Sequence, residues 1–176
     1  MTNHFDMVEA LRHARHDWLN IMQLIKGNLA LKRYDRIADI IDEVARQSSS
    51  ESEISNIQAP SVSYFLLTFN WFCREMKLEM DVAGDVFSLA KQEQELLRIC
   101  KQIIERLARE STLDTENHLL LTFLFTDQQC ELTFDYQGTL QQEGQSLVEF
   151  AAQESAVELV EVSKQECVLL TRFTRS

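Results

Sequence analysis

The sequence predicts an α+β protein in which a helical hairpin precedes a layer of helices on a mixed or antiparallel sheet. Two observations lead to this prediction. Apolar residues recur every three or four positions over roughly the first 30 residues, which is the period of an amphipathic helix. Several later segments alternate apolar and polar residues, which is the period of a half-buried strand.

The first helix is predicted from about Phe5 to Lys32. Its apolar residues alternate spacings of four and three, and they are Met7, Leu11, Ala14, Trp18, Ile21, Ile25 and Leu29. A short turn is predicted at residues 34–36, with Asp35 as the N-cap of the next helix. That second helix is predicted to end near Ser50, and its apolar stripe consists of Ile37, Ile40, Ile41 and Val44.

A hairpin of two helices cannot cover its own apolar stripes. Pairing two copies of the chain gives a four-helix bundle that does cover them, so we expect a homodimer. The alternative is that the hairpin packs against the remainder of its own chain.

The best linker candidate is the polar stretch at residues 48–60, which contains the single proline of the chain. We therefore expect two domains, a helical hairpin at residues 1–53 and an α+β domain at residues 54–176. In the second domain, helices are predicted at residues 61–76 and 91–111. Strands are predicted at residues 78–82, 118–126, 130–136, 157–162 and 167–173.

The charge of the chain limits its partners. The formal net charge is −11, which argues against nucleic acid or an anionic membrane as the main partner. Residues 1–36 nevertheless carry six basic and four acidic side chains. A mildly positive helix on an acidic body suits a partner with an acidic pocket or a phosphate, although an ordinary solvated helix has the same charge pattern.

The four cysteines are scattered, without the close spacing of zinc ligands, so we expect reduced thiols that are mostly buried. No carboxylate cluster predicts a metal site either. No apolar stretch is long enough to span a bilayer, and the N-terminus lacks the apolar core of a secretory signal. We therefore expect a cytoplasmic protein.

His16 lies on the polar side of the first helix, about 180° from Met7 and Ile25 at 100° per residue. Asn20, Arg12, Gln23 and Gly27 project within about 40° of its direction. An imidazole displayed in this way is accessible to another protein. The alternative interpretation is an incidental exposed histidine.

Imidazole suits reversible phosphoryl transfer because it is a good nucleophile when neutral and returns readily to its starting state. Asp17 is placed to orient the ring or to accept its proton, and Asn20 to hydrogen-bond a phosphoryl oxygen. The protein is expected to bring no cofactor of its own, with magnesium supplied by the partner. The sequence does not distinguish the two imidazole nitrogens.

Apolar residues border His16 on both sides. Leu19, Leu24 and Leu31 project about 60–80° from it, which is typical of a docking surface with a dry rim and a reactive centre. Gly27 removes bulk, so that another backbone can approach closely. The predicted partner-binding residues are Arg12, Arg15, Leu19, Gln23, Leu24 and Gly27. The alternative is that the leucines pack against the second helix or the second domain.

These residues resemble the sporulation initiation phosphotransferase B family of endospore-forming bacteria. The resemblance rests on RHDWLN at residues 15–20, QLIKGNL at 23–29, YDR at 34–36 and LTFNW at 67–71. It covers nearly the full chain, strongly over residues 12–36 and loosely beyond about residue 80. The HDxxN run is also similar to the phosphoacceptor helix of one class of sensor histidine kinases.

The resemblance implies a phosphorelay intermediate with His16 as the phosphoacceptor and Asp17 and Asn20 as its motif neighbours. His16 would take a phosphoryl group from the phosphoaspartate of a single-domain response regulator. It would then pass the group to the receiver domain of a sporulation transcription factor. The resemblance also implies a dimeric four-helix bundle, followed by a domain shaped like a kinase ATPase module.

Departures from the kinase pattern indicate that this domain has lost ATP and is structural. Where a kinase helix presents a magnesium-binding asparagine, residues 104–107 read IERL. The nearest counterpart of a DxGxG loop is DYQGT at residues 135–139, and four glycines in the chain hardly suffice for a second glycine-rich loop. Two alternatives stay open: an ATP-dependent histidine kinase core, and a non-catalytic module that binds a response regulator.

Overall fold

The computed structural model describes residues 4–175, and the side chains from residue 8 onward. The chain forms two compact units, and the division falls between Ser49 and Ser50. We call residues 4–49 the hairpin unit and residues 50–175 the sheet unit. No helix in the described ranges is long and apolar enough to cross a bilayer.

The hairpin unit contains α1 (His4–Ala30) and the larger part of α2 (Tyr34–Asn56). The predicted turn at residues 34–36 is wrong, because the chain reverses at residues 31–33 and α2 has begun by Tyr34. Lys32 adopts the left-handed conformation with φ of 54°. The amide of Arg33 donates to the carbonyl of Asn28 at 2.9 Å, and that of Lys32 to Leu29 at 3.0 Å. This is a Schellman motif, which usually has glycine where Lys32 stands.

Asp35 consequently lies in the first turn of α2 and is not its N-cap. A carboxylate in the first turn still interacts favourably with the positive end of the helix dipole. The predicted end of α2 near Ser50 is also wrong, since the helix continues to Asn56. Most of the predicted linker is therefore helical. Ser50 and Ile54, one turn apart, are both buried, so burial of this side outweighs the low helix propensity of the serines.

The sheet unit alternates helices with five strands. Its helices are α3 (Pro60–Phe72), α4 (Glu93–Glu110) and α5 (Gln145–Gln153). Its strands are β1 (Lys77–Ala83), β2 (His118–Phe125), β3 (Gln129–Gln137), β4 (Val157–Val162) and β5 (Glu166–Thr174). The helix predicted at residues 61–76 ends at Phe72, four residues early. Helix α5 was not predicted. All five predicted strands are present within one or two residues.

The strand order is β1-β2-β3-β5-β4, with β1 parallel to β2 and every other pair antiparallel. The predicted α+β class with a mixed sheet is thus confirmed. The two parallel strands are joined through α4, as a parallel pair requires a long crossover. Two short 3₁₀ helices, Ala90–Gln92 and Gln141–Gly144, precede α4 and α5.

The core lies on one side of this sheet. Alternate residues of β3, including Leu132 and Phe134, are fully buried against the apolar face of α4, which consists of Leu96, Ile99, Cys100, Ile103, Ile104 and Leu107. No helix of the described part of this unit packs on the opposite side of the sheet. We call that side, which carries Leu120, Thr133, Asp135, Val168 and Leu170, the open face.

Candidate functional site

The His16 side chain is 71% exposed on α1, as the helical periodicity predicts. Its Nδ1 lies 3.4 Å from Oδ1 of Asp17 and 3.2 Å from Nδ2 of Asn20. Asn20 stands one helical turn further along, where side chains of the same face meet. Both contacts use Nδ1, so Nε2 is the nitrogen that they leave uncommitted.

The two contacts to Nδ1 correspond to different tautomers of a neutral imidazole. When Nδ1 carries the proton, it donates to the Asp17 carboxylate, and Nε2 keeps a free electron pair. When Nδ1 is unprotonated, it accepts from the Asn20 amide, and Nε2 carries the proton. Asp17 thus favours the tautomer in which Nε2 is a nucleophile.

Four of the predicted site residues line a single surface concavity of about 520 Å³ on the side of His16 that leads towards the turn. They are Asn20, Gln23, Leu24 and Gly27. Arg12, Arg15 and Leu19 are exposed but do not line it. The concavity also includes Asn28, Leu31 and Arg33, of which only Leu31 was singled out in the sequence, as a border residue. The lining residues from Asn20 to Leu31 recur at spacings of three or four, and this spacing is the sequence signal that puts them on one side of the helix.

Gly27 lies in the open part of this concavity. A Cβ built on Gly27 meets no atom within 4 Å. Packing within the described chain therefore does not require a glycine, although glycine lowers helix stability by about 1 kcal/mol relative to alanine. Its place is consistent with close approach of another protein.

The opposite side of α1 carries an uncovered apolar surface. Ile21 and Ile25 are half-buried, as are Ile37, Ile40 and Val44 of α2. The remaining large apolar residues of the two stripes, Leu11, Trp18, Leu29 and Ile41, are exposed, as is Met22 on the same side of α1. The side chain of Met7, another predicted stripe residue, lies outside the described side chains. Much of the predicted stripe is therefore exposed in a single chain.

The loop after β3 packs closely against a buried polar network formed by Asn117, Tyr136 and Ser111. The Tyr136 hydroxyl donates to Oδ1 of Asn117 at 2.8 Å and lies 3.0 Å from Oγ of Ser111. A Cβ on Gly138 would overlap the Asn117 amide and the Tyr136 hydroxyl, so the glycine permits this close packing. Asp135, the first residue of the DxGxG-like run, lies on the open face instead.

The C-terminal half of helix α4 packs against α5. The guanidinium of Arg106 lies 4.5 Å from the ring centroid of Phe150, and its Nη1 donates to the Gln102 carbonyl at 2.8 Å. The Ser146 hydroxyl donates to the Glu110 carboxylate. Arg106 of the IERL segment is thus engaged in packing between these two helices.

The cysteines are free, and three of the four are buried. Burial raises the pKa of Cys130 and of Cys167 to about 12, so both thiols are protonated near neutral pH. Among residues 4–175, no group of three or more His, Cys, Asp and Glu side chains has the arrangement of a metal site.

Comparison with known proteins identifies the family to which the chain belongs. A family model described as "Sensor kinase SpoOB-type, alpha-helical domain" matches residues 1–57. A second, described as "Sporulation initiation phospho-transferase B, C-terminal", matches residues 58–174. The chain belongs to the sporulation initiation phosphotransferase B family. The resemblance drawn from the sequence is confirmed.

A relative in the phosphotransferase B family is the sporulation initiation phosphotransferase B of Bacillus subtilis (strain 168). It is 35% identical over 135 residues, which cover 76% of this chain and 70% of the relative. The alignment covers more than two thirds of each of the two proteins.

Solved structures of histidine kinases are also similar to this phosphotransferase B family member. One is the histidine kinase ThkA in complex with the response regulator protein TrrA, at 13% identity and a TM-score of 0.41, covering 96% of this chain and 61% of that one. Another is the blue-light activated histidine kinase of Erythrobacter litoralis, at 10% identity and a TM-score of 0.47. It covers 90% of this chain and 58% of that one. The present chain thus spans about three fifths of each.

Proposed function

We propose that this phosphotransferase B family member is a cytoplasmic phosphorelay enzyme with His16 as its phosphoacceptor. His16 takes a phosphoryl group from the phosphoaspartate of a single-domain response regulator and passes it to the receiver domain of a sporulation transcription factor, without ATP. The supporting observation is the exposed imidazole whose Nδ1 alone contacts Asp17 and Asn20. That geometry leaves Nε2 available to an incoming phosphorus atom.

In the first transfer, the Nε2 electron pair forms a bond to phosphorus, and the bond from phosphorus to the aspartate oxygen breaks. The oxygen leaves with its electron pair as a carboxylate. Nδ1 keeps its proton, so the phosphorylated ring is an imidazolium. The Asp17 carboxylate stabilises that positive charge through its contact with Nδ1.

The second transfer reverses these roles. An aspartate oxygen of the second receiver domain attacks phosphorus, and Nε2 leaves with the electron pair as neutral imidazole. In this scheme the Asn20 amide, one helical turn from His16, turns from Nδ1 to hydrogen-bond the phosphoryl oxygens, and Arg12 and Arg15 add positive charge. Magnesium belongs to the docked receiver domain in this scheme, where it neutralises charge on the phosphoryl group.

Independence from ATP is supported by the packing of the sheet unit. Arg106 of the IERL segment lies over the Phe150 ring. Gly138 is committed to the Asn117 network, and Asp135 lies on the open face. Arg106 and Gly138 are thus engaged in packing within the unit, which supports a structural role for it.

The test is transfer from a radiolabelled, phosphorylated receiver domain to the full chain. We expect label on the protein that is stable in base, labile in acid and passed on to a second receiver domain. Labelled ATP with magnesium and no receiver domain is expected to give no labelling. Labelling from ATP would instead indicate a kinase core. A stable complex without phosphohistidine would indicate a binding module.

The exposed apolar stripe supports a homodimer built as a four-helix bundle. Met22 and Leu24 lie two residues apart on opposite sides of α1, with exposed fractions of 53% and 57%. We expect Met22→Glu to give a monomer, because charge replaces apolar contact in the bundle. Leu24→Glu is the matched control and is expected to stay dimeric while transfer slows. Sedimentation equilibrium decides, and a dimeric Met22→Glu protein would contradict the bundle.

Gly27→Ala is expected to stabilise the free protein and to impair transfer. The added methyl group meets no atom of the described chain, so helix propensity alone raises stability by about 1 kcal/mol. The same methyl group blocks a docked receiver domain, and the regulator concentration for half-maximal rate should rise about tenfold. Thermal melts and transfer rates measure the two effects. Ser48→Ala on α2 controls for stabilisation alone, and equal transfer rates in both variants would contradict a docking role for Gly27.

A further inference from the structure

The open face of the sheet has a partly apolar centre between two acidic edges. Its centre is formed by β2, β3 and β5, whose residues on this side include Leu120, Thr122, Thr133, Val168 and Leu170. The edge strands place carboxylates on the same side, because residues paired across strands share a face. These are Glu79 and Asp81 on β1 and Glu158 and Glu161 on β4. We call the two edges the acidic rails.

The spacing of the rails matches the width of one helix. The strands β1 and β4 are separated by four strand spacings, or about 19 Å. An α-helix with its side chains is about 10–12 Å wide, which leaves room for a long basic side chain on each flank. The central strands have eight or nine residues, a length of about 26–30 Å, so a helix of roughly 18 residues spans them.

Several carboxylates on this face lack an internal cation. Lys77 contacts Glu79, and Arg172 contacts Glu131 and Glu158. Asp81 and Glu161 have no ion pair or side-chain hydrogen bond to any described residue. Charge complementarity therefore favours a cationic partner.

The centre of the face also contains an unsatisfied acceptor. Asp135 lies between Leu120 and Val168 in the register, and its Oδ1 is buried without a hydrogen-bond partner among the described residues. A buried acceptor without a donor is unfavourable by about 1–3 kcal/mol. An incoming N–H or ammonium group would satisfy it once the Asp135 side chain turns outward.

We infer that the open face docks a cationic amphipathic helix of a partner protein. The apolar side of that helix covers Leu120, Val168 and Leu170, and its Lys and Arg side chains reach both rails. Phosphate-rich partners are disfavoured, because the face is acidic. A second copy is disfavoured too, because a two-fold contact would oppose rail to rail. The surface is independent of the phosphoacceptor His16.

The probe is a synthetic peptide of about 18 residues with leucine on one face and lysine on both flanks, added to the full protein. Binding is followed by fluorescence anisotropy, and methyl NMR locates it. We expect methyl shifts at Leu120, Val168 and Leu170, and none at Leu19 or Leu24 of α1. A scrambled peptide of the same composition should bind at least about tenfold more weakly. Equal binding of the two peptides, or shifts confined to α1, would overturn the proposal.

Paired charge reversals separate docking from general attraction. Asp81→Lys with Glu161→Lys removes one free carboxylate from each rail, and we expect about a tenfold rise in Kd. Glu105→Lys with Asp127→Lys makes the same change in net charge away from the open face and should leave Kd within about twofold. Equal weakening by both pairs would contradict a defined site, as would a sedimentation result showing that the open face joins two copies. Circular dichroism confirms that each variant is folded.

Discussion

His16→Gln is expected to abolish phosphoryl transfer, to below about one thousandth of the wild-type rate, without disturbing the fold. Glutamine keeps polarity and approximate size but has no nucleophilic nitrogen. The imidazole is exposed, and its polar contacts among the described residues are with Asp17 and Asn20, so the free energy of unfolding should change by less than about 0.5 kcal/mol. Transfer is measured from a phosphorylated receiver domain, and folding by thermal melts and sedimentation.

Two further variants distinguish the role of His16 from general effects on α1. His13→Gln removes an imidazole from the same helix and is expected to leave transfer unchanged. Asp17→Asn preserves shape but removes the carboxylate that favours the reactive tautomer, and a fall of about 10²-fold is expected. Transfer that persists in His16→Gln, or is lost equally in His13→Gln, would refute the assignment of His16.

Asn117→Ala is expected to destabilise the sheet unit strongly. The Asn117 side chain is only 5% exposed, and its Nδ2 donates to the main-chain oxygens of Glu75 and Thr112 at 2.8 and 2.6 Å. Its Oδ1 accepts from the Tyr136 hydroxyl and from the Thr139 amide. Alanine leaves several buried polar groups without partners, so we expect a loss of about 3–5 kcal/mol.

Chemical denaturation measures this loss in the free energy of unfolding. Two further variants, for which smaller losses are expected, serve as comparisons. Asn70→Ala removes another asparagine that bonds main-chain atoms, those of Leu78, at an exposed position. A loss of about 1 kcal/mol is expected there. Tyr136→Phe removes one hydrogen bond and keeps the ring, so an intermediate loss is expected. Equal effects of Asn117→Ala and Asn70→Ala would show that the buried network contributes little.

The site was largely predictable because it is built on one helix. Helical periodicity alone relates His16 to Asn20, Gln23 and Gly27, and no tertiary contact alters those directions. The sequence did not locate the turn, because Lys32 takes the left-handed conformation that glycine usually signals. For the same reason Arg33 was not expected beside the predicted docking residues.

The parts of the sheet unit that depend on strand register were beyond sequence reasoning. Asn117 and Tyr136 are 19 positions apart and meet because β2 and β3 pair in one particular alignment. The helix α5 was missed because it is short and follows Gln142 and Glu143, which have positive φ and give no familiar start signal. Strands were easier to predict, since apolar and polar residues alternate clearly in β1 and β3 and β2 is an apolar run of strand length.

The open construction of the His16 site bears on how long a phosphorylated intermediate survives. His16, Asp17 and Asn20 all come from one solvated helix, and no other described segment of the hairpin unit contacts the ring to shield a phosphoryl group on it from water. In the proposed relay, hydrolysis would therefore compete with transfer between departure of the donor and arrival of the acceptor. The fraction of phosphoryl groups lost to water would then depend on the concentration of unphosphorylated acceptor receiver domains, because a higher concentration shortens the lifetime of the phosphorylated intermediate.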